Sequence, residues 1–246
     1  MPHRLLALLV ATMASFVVAT ATAGTLGEYR QLVLNGHQLK WGEPVLGAGA
    51  TVTYALAASR MDFVAARNCR GLAPIAGLLA ENRVDPAVFE RELAAAFAAW
   101  QAVADVTFRQ TEPASADIII GIETDPLGRA FTNVAYDQAP GQAGPRRLKQ
   151  SVICLNPEEN WKVGFDGDLE RYDLRYTLMH EIGHAIGLDH PPGRNALMDF
   201  AYRESFRTLQ PGDIAGAVAI YGPPKPATET PVVASDDKAK PDTVAR

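Results

Sequence analysis

Five residues in one short stretch, His180, Glu181, His184, Gly187 and His190, have the types and spacing to hold a divalent metal ion and to use it on water. At ~3.6 residues per turn, His180 and His184 lie one above the other on a single helix face, so two imidazoles can reach one ion. Glu181 lies beside the first of them. His190 comes six residues after His184 and on a continuing helix would point nearly the opposite way, so the chain has to leave the helix and fold back. Gly187 is where it can, because glycine takes the left-handed φ that closes a helix C-terminus without a Cβ penalty. The result is three neutral nitrogens and an open fourth position, the layout of a catalytic rather than a structural zinc. Uncharged ligands leave the ion its full charge, so it can bring the pKa of a bound water down toward about 7. Glu181, adjacent but not a ligand, is then placed as general base for that water.

Two histidines and a glutamate alone read as solvated side chains on a helix; the glycine and third histidine at set offsets, with Met198 following shortly after, argue against that. The run H-E-x-x-H-x-x-G-x-x-H resembles the metzincin signature. Within the metzincins the chain resembles the matrixins, the family of matrix metalloproteinase catalytic domains. The likeness lies in Ala196-Leu197-Met198, in residues 209–222 (LQPGDIAGAVAIYG), in residues 89–108 (FERELAAAFAAWQAVADVTF) and in Ala116-Asp117-Ile118-Ile119-Ile120.

The resemblance implies a zinc endopeptidase that hydrolyses internal peptide bonds without a covalent intermediate, with one catalytic zinc on His180, His184 and His190 and with Glu181 as base. Residues 128–136 would be an antiparallel edge strand above the cleft, along which a protein or peptide substrate lies extended. Met198 would form an apolar floor under the imidazoles, and Tyr176, four residues before His180, would line the S1′ pocket; the plain alternatives are a core methionine and a partly buried tyrosine. Matrixins usually hold a second, structural zinc on histidines that this chain lacks, since none stands between His37 and His180. Phe200 stands two beyond Met198, where astacin-like enzymes place a zinc-binding tyrosine, so no fifth protein ligand is expected. Pro191 replaces the hydroxyl residue that commonly follows the third histidine. Asp125, Asp137, Asp166 and Asp168 offer oxygens for calcium, but their spacing fits no calcium motif. Two other functions fit the same residues, a catalytically silent zinc-binding protein and a zinc hydrolase of cell-wall amide bonds.

The elements that must position these groups form one domain: the 246 residues are 48% hydrophobic and 21% charged, and nothing suggests a second core. A formal charge of −5 argues against a nucleic-acid partner, and the short basic run Arg146-Arg147-Leu148-Lys149 reads as a solvated loop. Residues 1–23 read as a secretory signal, with Arg4, an apolar run over 5–19 and Ala21-Thr22-Ala23 as cleavage site, so a secreted or periplasmic protein is expected. A membrane anchor is the alternative, but the run is shorter than the ~20 residues a span needs. Export permits a disulfide between Cys69 and Cys154; two free thiols, or Cys69 as a zinc-blocking cysteine, are the other readings.

Residues 24–40 read as an unpatterned surface lead-in or short pro-segment, 41–222 as the catalytic domain and 223–246 as a disordered tail. Period-two alternation predicts a strand over 51–56, the isoleucine run of 117–122 suits a strand covered on both faces, and 106–108, 128–136 and 151–155 read as further strands. Residues 58–84 show no period and read as an insertion carrying Cys69. Asp85-Pro86 predicts a helix start, and Phe89, Leu93, Ala96, Phe97, Trp100 and Val103 give it one apolar face. Asp173 is the expected cap of the ligand-bearing helix, which runs to about residue 186, and a closing helix is expected over 208–220. The fold class is therefore α/β, of the α+β zincin type: a twisted, mostly parallel five-stranded sheet with an antiparallel edge strand, a backing helix, an active-site helix and a C-terminal helix.

Overall fold

The computed structural model describes residues 28–139, 144–193 and 195–226. The expected signal segment and residues 227–246 of the expected tail lie outside them. The main strands are β1 (Ala50–Leu56), β2 (Val106–Gln110), β3 (Ile118–Glu123), β4 (Ala130–Tyr136) and β5 (Arg146–Leu155), and the helices are α1 (Ala76–Glu81), α2 (Pro86–Gln101), α3 (Leu174–Ala185) and α4 (Pro211–Tyr221).

Strands run side by side in the order β2, β1, β3, β5, β4. The first four are mutually parallel, with Thr51 opposite Thr107, Tyr54 opposite Ile118 and Ile153 opposite Ile120. β4 closes the row antiparallel to β5, with Thr132 opposite Ile153. β3 has the composition of a strand covered on both faces, and it is: Ile118, Ile119 and Ile120 are all buried. Ile118, Ile120, Ile153 and Leu155 face the layer of helices, while Ile119, Val152 and Cys154 face a second, smaller cluster on the opposite side.

α2 starts where Asp85 accepts hydrogen bonds from the backbone N–H of Ala87 and Val88, with Pro86 in the first turn. Its buried face of Phe89, Leu93, Ala96, Phe97 and Trp100 backs α3, to which the Trp100 indole donates at Met179 O, 2.9 Å. α3 starts at Asp173, which accepts from Tyr176 N. The fully buried Asp173 carboxylate is paired with Arg207 at 2.8 Å, and Arg207 and Arg175 both reach Glu92 on α2. That network fixes the start of α3 against its neighbour.

Three readings of the sequence need correction. Residues 58–84 are not a patternless insertion: Met61–Asp62 and Gly71–Ala73 form a hairpin, Gly71–Ala73 adds to the sheet beside β3, and α1 follows. Elements of two, three and six residues are too short to show a period. Arg146-Arg147-Leu148-Lys149 is not a solvated loop but the first part of β5, with Arg146 and Leu148 buried and Arg147 and Lys149 exposed in strict alternation. The Arg146 guanidinium reaches Ala139 O at 2.6 Å, which is how a charged residue sits on an inward position.

The lead-in is the third case. Val33–Leu34 and His37–Lys40 pair as a hairpin, Leu39 and Lys40 run parallel to Arg146 and Arg147, and Arg30–Gln31 pairs with Leu188–Asp189. Leu39, Lys40 and Trp41 are buried, with the Lys40 ammonium donating to Trp41 O. Strands this short, paired to partners about 100 residues or more away, leave no local signature.

Candidate active site

α3 presents His180 and His184 on one face and then stops. Ile186 N and Gly187 N close the last turn on Ile182 O and His184 O, and Gly187 takes φ +101°. A helix end leaves carbonyls without partners, and here each is claimed by a different part of the chain. Ala185 O accepts from the Trp41 indole at 2.8 Å and from Ser151 Oγ; Ile186 O accepts from Tyr221 OH at 2.8 Å; Gly187 O accepts from Leu32 N at 2.8 Å. The lead-in, β5 and α4 thus hold the reversal that brings His190 back.

His190 Nε2 lies 3.1 Å from His180 Nε2 and 3.1 Å from His184 Nε2. Among the described residues, these three are the group of histidine, cysteine and carboxylate side chains that converge closely enough to hold a metal ion. The other ring nitrogen of two of them is committed: His180 Nδ1 lies 2.9 Å from Leu197 O and His184 Nδ1 2.9 Å from Leu188 O. A carbonyl only accepts, so each Nδ1 carries the hydrogen and each Nε2 presents a lone pair to the common centre. Burial holds the His180 pKa well below its ordinary value and lowers those of His184 and His190, so added protons do not relieve the crowding of lone pairs. A cation does, and three imidazole nitrogens, two of them with tautomers fixed by carbonyls, suit zinc.

Met198 is buried against α3, where a Cβ on Gly183 would strike its sulfur and the Trp100 ring. Leu197 N and Met198 N donate to the two oxygens of Asp213 at 2.7 and 3.0 Å. Asp213 also accepts from Gln210 N in a capping box at the start of α4, so one carboxylate ties that helix to the Leu197-Met198 segment. Phe200 is exposed, its ring edge-on to His190 at 5.3 Å between centroids.

Glu181 is buried next to His180, and burial pushes its carboxyl up to about 7, opposed by a hydrogen bond from Thr132 and by the charge of Arg129. Thr132 Oγ1 lies 2.8 Å from Glu181 Oε2 and 2.9 Å from Glu181 O. Tyr176 is fully buried, its ring edge-on to Tyr202, and its hydroxyl has no hydrogen-bond partner among the described residues. Cys69 and Cys154 are bridged with Cα atoms 5.7 Å apart, so neither is a thiol and the zinc-blocking reading of Cys69 is overturned. Among the described residues the calcium candidates form no group of three or more side chains able to hold an ion. Asp166 accepts from the Lys162 ammonium, which Glu204 also holds at 2.6 Å, and Asp137 pairs with Lys149.

Thr132, Asp213 and the carbonyls of Leu188 and Leu197 were missed in the sequence. Asp213 alone left a signal, as third residue of a capping box begun by Gln210.

A helix carrying two imidazoles and a carboxylate, a glycine reversal to a third imidazole and a buried methionine packed against that helix make up a metzincin-type catalytic domain. A family model described as matrixin matches residues 78–222, more than half of the chain, and the chain belongs to the matrixin family. It is 33% identical to matrix metalloproteinase-19 of Mus musculus over 139 residues, which is 54% of this chain and 25% of the relative. It is 29% identical to stromelysin-3 of Mus musculus over 158 residues, 61% of this chain and 30% of the relative. It is also 30% identical to interstitial collagenase of Sus scrofa over 153 residues, 58% and 29% of the two chains. The chain therefore spans less than a third of the length of these relatives.

Proposed function

We propose that this protein is a secreted or periplasmic zinc endopeptidase acting on protein or peptide substrates, and the observation that carries the proposal is the convergence of three imidazoles, with His190 Nε2 3.1 Å from the Nε2 of each of the other two, beside a buried carboxylate. His180, His184 and His190 hold the ion. Zinc bound there supplies Lewis acidity to a water molecule and to the oxygen of the carbonyl under attack. Glu181 takes the proton from the water as it attacks and passes it to the leaving amine nitrogen as the C–N bond breaks. Met198 gives the imidazoles an apolar floor, and Tyr176 closes the primed-side pocket, a reading supported by its buried hydroxyl without a partner.

The substrate adds to the edge of the sheet. Among the described residues β4 pairs only with β5, so its outer edge offers unpaired N–H and C=O groups to an extended peptide. An added strand runs past the site at both ends, which suits internal bonds of unfolded or loop segments. Among the described residues no helix is long and apolar enough to cross a membrane.

Replacing Glu181 by Ala tests the reading. Cleavage of casein or gelatin is expected to fall by at least about 100-fold, since general-base catalysis is worth about 10²–10⁴-fold, with zinc content and melting temperature near those of the parent. A variant as active as the parent would remove Glu181 from the reaction. Cleavage of peptidoglycan amides in place of peptide-library members would transfer the site to the cell-wall reading.

A further inference from the structure

We propose that Thr132 is the residue that positions the catalytic carboxylate, so that the strand offered to the substrate also sets the geometry of the base. The inference rests on the endopeptidase reading and deepens it. Thr132 lies within β4, opposite Ile153 of β5, and its side chain points at α3. Its hydroxyl has one hydrogen and two acceptors in reach, Glu181 Oε2 at 2.8 Å and Glu181 O at 2.9 Å. These contacts join residues 49 positions apart on two different elements. Glu181 is buried, so a hydrogen bond to its carboxylate takes the place of water that burial removes.

The contact does two things. It commits Oε2 and so fixes the rotation of the carboxylate, leaving Oε1 to serve the attacking water. It also serves both halves of the cycle described above. While Glu181 is ionised, Thr132 donates to Oε2. Once Oε1 holds the proton taken from water, Oε2 is still an acceptor, so the same bond from Thr132 keeps Oε1 turned toward the leaving amine. Neither state requires the side chains to move apart. Because Thr132 belongs to the strand on which the substrate is to pair, a peptide that docks there bears on the same strand that holds the base.

The test uses the full-length, zinc-loaded protein and a fluorogenic peptide that it cleaves. T132V keeps the shape and removes the hydroxyl; kcat is expected to fall by about 10- to 100-fold, the worth of a hydrogen bond to a charged group, with KM within about threefold. T132S is expected to restore most of the rate. T132A covers the case in which the valine methyl disturbs packing, and the rate of whichever variant remains folded and zinc-loaded decides. In an E181A background T132V should have no further effect, because the carboxylate it positions is gone. A folded T132V or T132A with kcat within twofold of the parent, a loss confined to KM, or losses that multiply in the double variant would each overturn the proposal and leave Glu181 as base. An E181A variant as active as the parent would instead sink the endopeptidase reading beneath it.

Discussion

At the scale of single residues, the site is a set of neutral imidazoles kept neutral by their surroundings. Burial lowers the pKa of His180, His184 and His190, and the carbonyls of Leu197 and Leu188 fix two of the tautomers. The direction of the resulting pH dependence follows from proton counting. In the unfolded chain each imidazole takes up a proton near its ordinary value of 6.5, whereas the folded site resists protonation, so the unfolded state binds more protons as pH falls below that value and stability declines with it. Bound zinc steepens the decline, because a ligand that must be neutral competes with protons for the same lone pair. Zinc content by elemental analysis and the urea midpoint are both expected to drop between pH 7 and pH 5; full zinc occupancy with an unchanged midpoint at pH 4 would contradict this account. The convergence of the three histidines, the place of Glu181 beside His180 and the reversal at Gly187 were legible because histidine and glutamate spacing on a helix maps directly onto geometry. Thr132 was not, since a contact across 49 residues between a strand and a helix follows no spacing rule. Backbone acceptors such as Leu188 O and Leu197 O have no side-chain identity to read at all.

At the scale of elements, what matters is how one helix ends. Gly187 combines a φ of +101° with a close approach: a Cβ there would fall on Leu39 O, in the strand that the lead-in contributes. Gly187→Ala therefore meets a strained backbone and a clash with main chain that cannot swing aside. A loss of about 2–4 kcal/mol in unfolding free energy is expected, together with weaker zinc binding in a chelator competition, because His190 is carried on the segment that must shift. Gly164 supplies the control: its φ is +91° but a Cβ there meets nothing within 4 Å, so Gly164→Ala should cost only about 1 kcal/mol and leave zinc affinity unchanged. Equal costs at the two positions would show that the approach of Leu39 constrains nothing. The helices and the long strands were readable because apolar periods and the Asp85-Pro86 and Asp173 starts are local signals. The hairpin at 61–73 and the strands of the lead-in were not. Their pairing partners are fixed by tertiary contacts, and two to four residues cannot display a period. Arg146 misled for a different reason: a charged residue on an inward strand position breaks the alternation of hydrophobicity while obeying the alternation of direction.

At the scale of the whole molecule, the two faces of the sheet do different jobs. One carries α2 and α3 with the imidazoles and Glu181; the other carries the small cluster of Ala55, Leu72, Ile119, Val152 and the cystine, with Phe131 packed against it. Cys69 N donates to the buried Glu123 carboxylate at 3.0 Å, so the segment bearing the cystine is also tied to the sheet by a second bond. The bridge joins residues 85 positions apart, a loop whose closure entropy alone is worth about 4–5 kcal/mol by chain statistics, of which about 2–4 kcal/mol is usually realised. Its removal should therefore be a stability defect and not a site defect, because no ligand, no carbonyl that orients a ligand and no part of α3 belongs to that cluster. A C69A/C154A protein is expected to lose about 2–4 kcal/mol in urea unfolding and to keep its zinc and its kcat within about twofold at 25 °C, where the fold still stands. The informative measurement is zinc release followed alongside far-ultraviolet circular dichroism during heating. If the bridge only braces the distal face, metal leaves with the helical signal, at one lowered midpoint. Metal lost from a double variant whose secondary structure is intact would mean that the cystine reaches the imidazoles through β4, by way of Phe131 and its neighbour Thr132, and that the two faces are mechanically coupled.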